Sequence, residues 1–359
     1  MFFIFTQHKS EYWTRELKAE VILDSENLLK SIGEKIELGY RPIVELTDYN
    51  GELDSFPANS LIALLYADEK YDSKLNSSVL NSSVFKAIIR QYKISSTSQY
   101  EILKAIFVSL AESSKFLSFQ MPRRLAVWCF KGMGMAKRQA RIKKQIENSG
   151  KIIVNVPLGY TDFFAETFLE NLENSGKSLV SKSDSLFEIT IQRSFISKRK
   201  NYKFVFIGQS GQIVRQYAIK ALQKFDSKRL IVRNRYSGIG NDENRKLRIG
   251  QEYVSGLLES QVSVCPPGNI SGNSFRIMES LICGAYPAVM SNVLCDPQFE
   301  SPVIEVLKGR KPRTWYHYLK KLEKVSEAEL QEKVVENLYK FREEIKVAKL
   351  EIENLQAPD

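Results

Sequence analysis

Short apolar runs alternate with longer amphipathic stretches along most of the chain. The apolar runs that predict β-strands are residues 2–6, 42–46, 61–66, 87–89, 126–130, 152–156, 203–207, 230–233, 262–265 and 288–290. Patterns with helical spacing lie between them, at 25–35, 99–112, 213–224, 251–260 and 274–283. This alternation is typical of parallel strands joined by crossover helices, so the sequence predicts an α/β fold.

The length of the chain predicts two domains. At 359 residues it is too long for one ordinary core and fits two packed units of about 150 residues each. We place an N-terminal domain at 1–165 and a C-terminal domain at 166–313, with a cleft between them. Residues 314–359, rich in Lys, Glu and Leu at helical spacing, predict helices that pack back toward the first domain.

Several features of the sequence favour a cytoplasmic protein. The longest apolar runs fall far short of the roughly 20 residues that a membrane-spanning helix needs. The apolar start at 1–6 is too short for a signal peptide and lacks a basic leader. The four cysteines have no Cys-x-x-Cys spacing and are accompanied by only two histidines, which predicts neither a zinc site nor a disulfide framework.

The formal net charge of +10 favours anionic partners, such as nucleic acid, an anionic membrane or a phosphorylated substrate. Residues 123–144 carry eight Lys or Arg, with apolar and aromatic residues interleaved. Two interpretations of this segment stay open. It is either a helix with a basic solvated face, or a surface that docks on an anionic membrane or a lipid-linked acceptor.

The strongest functional pattern begins at the strand predicted at 262–265. This strand runs into Pro266-Pro267-Gly268-Asn269, which cannot continue a sheet and predicts a loop at the strand's carboxyl end. Ligands of open α/β sheets bind at such ends. The loop leads to a helix that starts near 271–274, where Ser and Asn can cap the free amides and the helix dipole favours an anion.

Arg276 and Glu279 lie one turn apart on this helix, on a different side from its apolar stripe. The guanidinium of Arg276 suits phosphate through its forked donors, and the carboxylate of Glu279 can accept both hydroxyls of a ribose. Taken alone, the same two residues also fit a surface ion pair between positions i and i+3.

A longer pattern surrounds these two residues: Ser274-x-Arg276-x-x-Glu279-x-Leu281-x-x-Gly284-x-x-Pro287-x-Val289. This pattern resembles the donor-binding signature of the exostosin-like glycosyltransferases, including the glycine that ends the helix and the strand that follows it. The resemblance covers much of the second domain and hardly any of the first. It implies a GT-B fold, in which two Rossmann-like domains face a cleft and the second domain holds the nucleotide sugar.

A second part of the resemblance lies upstream, where the strand at 203–207 leads to Gly208 and then to Arg215. Arg215 is either a contact to the donor pyrophosphate or ordinary surface charge. Arg233, Arg235 and Arg245 are expected in a Gly- and Asn-rich loop. They are either contacts to phosphate or acceptor, or solvated residues. The predicted donor site comprises Gly208, Arg215, Arg235, Pro267, Gly268, Asn269, Ser274, Arg276 and Glu279.

Glycosyl transfer needs a base for the acceptor hydroxyl and positive or dipolar groups for the departing diphosphate. The chain has no Asp-x-Asp motif, so arginines and helix amides are expected in place of a divalent metal, and no cofactor is expected. The base is expected at the carboxyl end of a strand in the first domain. His8, Asp48 and Asp68 follow three of the predicted strands, and histidine has the ordinary pKa nearest neutrality, about 6.5.

These features predict a metal-independent glycosyltransferase, and the resemblance to the exostosin-like family implies that it inverts the anomeric carbon. The resemblance implies a nucleotide-sugar donor, usually a uridine diphosphate sugar, and a glycan or lipid-linked glycan acceptor in bacterial surface polysaccharide synthesis. Two other classes stay open. The net charge also fits a nucleic-acid-binding protein, although no recognised binding motif is present and nucleic acid is not the expected partner. A catalytically inactive scaffold that binds nucleotide sugars fits the same fold.

Overall fold

The computed structural model of the protein describes residues 2–6, 10–23, 27–46, 52–65, 79–90, 144, 148–174, 185–192, 200–209, 213–233, 243–266, 275–289 and 312–357. Helices and strands alternate along these residues, and the strands form two parallel sheets. The predicted α/β class is therefore confirmed. The strand predicted at 126–130, the helix predicted at 99–112 and nearly all of the basic segment 123–144 lie outside the described residues.

The first sheet has six parallel strands in the order β2-β1-β3-β4-β5-β6. These strands are β1 (Phe3–Phe5), β2 (Glu20–Ile22), β3 (Ile43–Glu45), β4 (Leu61–Leu65), β5 (Phe85–Arg90) and β6 (Ile152–Asn155). The chain moves from β1 to β2 at one edge and then returns past β1 to β3. The strand order therefore reverses between β1 and β3, which is where ligands bind in open α/β sheets.

The second sheet has four parallel strands in the order β10-β9-β7-β8. They are β7 (Tyr202–Gln209), β8 (Lys228–Arg233), β9 (Ser260–Cys265) and β10 (Tyr286–Val289). Here the order reverses between β7 and β9. Because crossovers between parallel strands are right-handed, this reversal places the β7–β8 helix on one face of the sheet and the β8–β9 helix on the other.

The described helices are α1 (Glu11–Arg15), α2 (Leu28–Glu37), α3 (Asp162–Asn174), α4 (Leu186–Gln192), α5 (Ile213–Leu222), α6 (Glu243–Leu258), α7 (Phe275–Ile282), α8 (Pro312–Glu323) and α9 (Glu327–Gln356), with a 3₁₀ turn at Glu52–Ser55. Helix α7 ends as the sequence predicts. Gly284 takes a left-handed φ of 69°, and the amide of Ala285 donates to the carbonyl of Ser280. None of the helices in the described ranges combines the length and the apolarity needed to cross a membrane.

One apolar core runs through both sheets. It contains Ile4 and Ile62 of the first sheet together with Val205 and Val264 of the second, all of them buried. Aromatic rings of α1, α4 and the start of the α3 region fill the space between, in edge, tilted and stacked contacts that link Tyr12, Tyr160, Phe164, Phe168 and Phe187. A smaller core covers the other face of the first sheet, so both faces of that sheet are buried, as a parallel sheet requires.

Helix α9 contacts both sheets. Along its length it packs against α7, β9 and β10 and also against β6. At its end, the side-chain amide of Gln356 accepts a hydrogen bond from the backbone N–H of Phe3 (2.9 Å) and donates to the carbonyls of Phe3 and Arg41 (3.1 Å each). At its start, the hydroxyl of Ser326 accepts the Glu329 amide and separates α9 from α8, so the described part of the predicted helical region forms two helices.

Several local differences separate the structure from the predicted elements. Strand β2 and helices α1, α3 and α4 are absent from the prediction; β2, α1 and α4 are short, with three, five and seven residues. Helix α6 begins at Glu243, eight residues before the predicted start at 251. The predicted loop position of two arginines is therefore wrong, because Arg245 lies on α6 and Arg233 is the last residue of β8.

Glu16 lies just after α1 and connects that helix to the start of α4. Its Oε1 accepts hydrogen bonds from the Tyr160 hydroxyl and the Leu186 amide, both at 2.8 Å, and its Oε2 accepts one from the Ser185 hydroxyl at 2.5 Å. The Ser185 oxygen in turn accepts the Glu188 amide and caps α4. Burial raises the pKa of the Glu16 carboxyl to about 7, although these three hydrogen bonds oppose the shift.

Replacing Glu16 by Gln is expected to flatten the dependence of stability on pH. The folded protein holds this proton more tightly than the unfolded chain, so the stability it contributes is complete below pH 4.5 and is lost as the pH rises toward 7. In urea unfolding at pH 5 and pH 8, Glu16→Gln should remove on the order of 2 kcal/mol of the difference. The exposed Glu37→Gln is the control. An unchanged difference in Glu16→Gln would contradict this assignment.

Candidate functional site

Arg276 lies at the point where the strand order of the second sheet reverses. It is the second residue of α7, which follows β9, and its side chain reaches across to β7. A Cβ added to Gly208 of β7 would lie 2.8 Å from Nη2 of Arg276. The guanidinium carbon lies 5.2 Å from the ring centroids of both Phe206 and Tyr253. The half-buried Arg276 side chain therefore lies beside the end of β7, at the position of the ligand crevice in open α/β sheets.

The surroundings of Arg276 fix its guanidinium in place. Aromatic faces attract a guanidinium through their negative quadrupole, so Phe206 and Tyr253 hold it from two sides. Gly208 has no side chain and therefore lets the guanidinium approach the end of β7 closely. The predicted proximity of Gly208 and Arg276 to one site is thus found in the structure, with the glycine making room for the arginine.

Glu279 lies one turn further along α7 and is only 5% exposed. Its Oε1 accepts hydrogen bonds from the hydroxyl (2.9 Å) and the amide (3.3 Å) of Thr161, and its Oε2 accepts one from the Tyr253 hydroxyl (2.8 Å). Burial raises the pKa of this carboxyl, against the opposing effects of these donors and of Arg276. The interpretation as a solvated surface ion pair is therefore wrong. The geometry gives the carboxylate protein partners in place of the predicted ribose hydroxyls.

Thr161 and Asp162 place the beginning of α3 between the two sheets. Thr161 contacts Glu279 of the second sheet's helix α7, and its hydroxyl also accepts the Phe164 amide inside α3. Asp162 faces the first sheet, because its Oδ1 accepts the backbone amide of Glu11 at 2.7 Å. Two consecutive residues thus connect α7, which carries Arg276, to the carboxyl-end region of the first sheet.

Glu45, the last residue of β3, is a candidate that the sequence analysis does not select. The hydroxyl of Thr6, just after β1, donates a hydrogen bond to Oε2 of Glu45. Burial raises the pKa of the Glu45 carboxyl to about 7, and the nearby charge of Asp162 adds to the shift. Glu45 and Thr6 therefore mark the point where the strand order of the first sheet reverses. In the sequence, Glu45 is visible only as a carboxylate inside the apolar run at 42–46.

Arg215 is the one further predicted donor residue whose position the structure describes. It lies in the first turn of α5, directly after β7, where it is half-buried. The other predicted residues lie outside the described part of the chain: the candidate bases His8, Asp48 and Asp68, and the donor-site residues Arg235, Pro267, Gly268, Asn269 and Ser274.

The described residues contain no group of three or more His, Cys, Asp or Glu side chains arranged to hold a metal ion. Cys265 at the end of β9 and Cys283 after α7 are buried free thiols. Burial raises the pKa of both thiols, which disfavours the reactive thiolate. These two cysteines therefore act as small core residues.

Comparison of the chain with protein-family models and with curated proteins gives no match.

Replacing Glu279 by Ala is expected to destabilise the fold by about 3 kcal/mol, because it leaves the buried donors of Thr161 and Tyr253 without their acceptor. Glu279→Gln keeps an acceptor oxygen of the same shape and should lose far less. Urea unfolding at neutral pH measures both changes, with the exposed Glu332→Ala of α9 as the control. A Glu279→Ala variant as stable as the wild type would show that the carboxylate does not join these elements.

Proposed function

We propose that the protein is a metal-independent glycosyltransferase that takes a sugar from a nucleoside diphosphate donor. The observation that carries this proposal is the guanidinium of Arg276 in the crevice where the strand order of the second sheet reverses. Doubly wound sheets bind nucleotides at this position. A fixed guanidinium offers the diphosphate paired hydrogen-bond donors and a positive charge. It thereby takes the place of a metal ion.

The arrangement of the two sheets supports the GT-B fold for this function. Each sheet has its own reversal of strand order, and the Thr161–Asp162 pair at the start of α3 connects the two carboxyl-end regions. A donor held by Arg276 would thus have its reacting sugar directed toward the first sheet. In this proposal the second sheet and its helices bind the donor, while the first sheet provides the acceptor side.

The chemistry is a single displacement that inverts the anomeric carbon. As the bond between that carbon and the diphosphate breaks, negative charge grows on the leaving oxygen, and Arg276 stabilises it. The donor is a uridine diphosphate sugar, and the acceptor is a glycan or a lipid-linked glycan of a bacterial surface polysaccharide. The segment 123–144 is the proposed contact with an anionic membrane, for a cytoplasmic enzyme that works at the membrane surface.

Glu279 has a positioning role in this proposal. Its hydrogen bonds to Tyr253 and Thr161 hold the ring that packs on Arg276 and tie α7 to the start of α3. A direct contact between Glu279 and the donor ribose, expected from the sequence, is not part of the proposal, since the carboxylate is already bound by three protein donors.

The first test is a screen of UDP, GDP and CDP, and of their sugars, for thermal stabilisation, followed by calorimetry with the best ligand. A ligand that binds only the folded state raises the melting temperature. The account expects binding of at least one nucleoside diphosphate, and release of that diphosphate from its sugar. Binding without turnover would favour the inactive scaffold. No nucleotide binding, together with salt-sensitive binding of DNA or RNA, would favour the nucleic-acid-binding alternative.

Replacing Arg276 by Gln is expected to weaken nucleoside diphosphate binding by about 10- to 100-fold, the loss of a charged hydrogen-bonding partner. Gly208→Ala should weaken binding less, because the new methyl group displaces the end of the Arg276 side chain. The matched controls are Arg313→Gln on the exposed face of α8 and Gly33→Ala in α2, where an added Cβ has ordinary packing distance. Unchanged affinity in Arg276→Gln would remove Arg276 from the site.

A further inference from the structure

Glu45 lies where the strand order of the first sheet reverses, as Arg276 lies beside the corresponding reversal in the second sheet. It ends β3, beside the end of β1, where the strand order of the first sheet reverses. Since side chains alternate along a strand, Glu45 shares a face with Ile43, and Thr6 shares that face with Ile4. Both isoleucines belong to the core that α1 and α3 cover. The Glu45 carboxylate therefore lies at the carboxyl edge of the sheet, on the side of α3.

The hydrogen bonding of Glu45 differs from that of the other carboxylates whose pKa burial raises. Glu16 and Glu279 each accept three hydrogen bonds from the protein, so both of their oxygens are occupied. The described residues provide Glu45 with one hydrogen bond, from Thr6 to Oε2. Glu45 is also half-buried, whereas Glu279 is buried. Among the described residues, none donates a hydrogen bond to its Oε1, whereas both oxygens of the other two carboxylates accept hydrogen bonds.

The charges around Glu45 set its affinity for a proton. On α3, Asp162 lies close enough to raise the pKa of the Glu45 carboxyl, after the larger effect of burial, to about 7. On α1, Glu11 is paired with Arg15 at 2.7 Å, so their charges largely cancel. The neighbouring β4 presents the apolar Leu64 opposite Glu45. A base with a pKa near the working pH combines a useful ionised fraction with a useful driving force for proton transfer.

We propose that Glu45 is the general base that takes the proton from the acceptor hydroxyl in this glycosyl transfer. The proposal rests on the proposed function. The acceptor O–H bond breaks as its oxygen forms a bond to the anomeric carbon, and the proton passes to Oε1 of Glu45. The bond between the anomeric carbon and the diphosphate breaks with its electron pair, which leaves on the nucleoside diphosphate beside Arg276. Atoms and charges balance without a metal ion or a redox partner.

The structure also connects the base to the donor side. Asp162 raises the proton affinity of Glu45, and its neighbour Thr161 bonds to Glu279, one turn from Arg276 on α7. The start of α3 therefore sets the position of both reacting sides. Asp162 is a positioning and tuning residue in this scheme, because it acts through Glu45 without touching the substrate.

The central test replaces Glu45 by Gln, which keeps an acceptor oxygen for Thr6 and removes the base. Turnover is measured as release of nucleoside diphosphate from UDP-, GDP- and CDP-sugars, with water or methyl glycosides as acceptors. Glu45→Gln should lower kcat by about 100-fold or more, while calorimetry shows unchanged affinity for the nucleoside diphosphate. The control is Glu20→Gln, an exposed strand glutamate at the start of β2, and melting temperatures show that each variant is folded.

A second test uses the dependence of kcat/KM on pH. The wild-type value should rise with pH and level off above about 7, as Glu45 loses its proton. Asp162→Asn keeps the acceptor for the Glu11 amide but removes the negative charge, so it should lower the pKa of Glu45 and move this rise to lower pH. Asp226→Asn, at an exposed site before β8, should leave the profile in place.

The outcomes separate the two proposals. Wild-type turnover in Glu45→Gln, or an Asp162→Asn profile that does not move, would overturn the role of Glu45 and leave the transferase function standing. Nucleoside diphosphate binding without any release of sugar by the wild-type protein would overturn both. Loss of diphosphate binding in Glu45→Gln would contradict a base that contacts only the acceptor.

Discussion

The hydrogen bonds from Thr161 to the buried carboxylate of Glu279 are the contact on which the rest of the structure depends. Thr161 opens α3, which packs on the first sheet, and Glu279 lies on α7 of the second sheet. The next residue, Asp162, accepts the amide of Glu11 and raises the pKa of Glu45. One turn of helix therefore fixes where the carboxyl ends of β1 and β3 lie relative to those of β7 and β9.

Two carboxylates that each accept three protein hydrogen bonds join elements in this way. Glu16 links α1 to the start of α4, and Glu279 links α7 to the start of α3, each through three hydrogen bonds. Removing an ionised carboxylate from water is costly, which is why burial raises the pKa of both groups. The donors offset much of that cost, and they do so only in one arrangement. Such contacts specify geometry more than they add stability.

Much of the fold follows from patterns that are local in sequence. Apolar runs predict nearly all of the described strands. The run at 262–265, followed by prolines, correctly predicts β9, and Gly284 correctly predicts the end of α7. Strand β2 is missed because three residues are too few to show the two-residue alternation of a strand. Helix α6 is predicted too short, since its first two turns are mostly polar and lack an apolar stripe.

The candidate site is harder to predict from the sequence, because the residues that contact one another there are far apart along the chain. The structure brings Arg276 of this motif close to Gly208 of the upstream resemblance, so two members of the predicted donor site lie together. Nothing local shows that Glu279 meets Thr161, 118 residues earlier, or that Thr6 meets Glu45, 39 residues later. The role of a carboxylate depends on its burial and its neighbours, and these become visible only when the strands are placed side by side.

The most direct measurement is a crystal structure of the protein with a bound nucleoside diphosphate. The account predicts the diphosphate between the carboxyl ends of β7 and β9, with a phosphate oxygen about 3 Å from the guanidinium of Arg276. It also predicts that Glu279 keeps its hydrogen bonds to Thr161 and Tyr253. A diphosphate bound elsewhere, with Arg276 undisturbed between its two aromatic rings, would contradict the central claim.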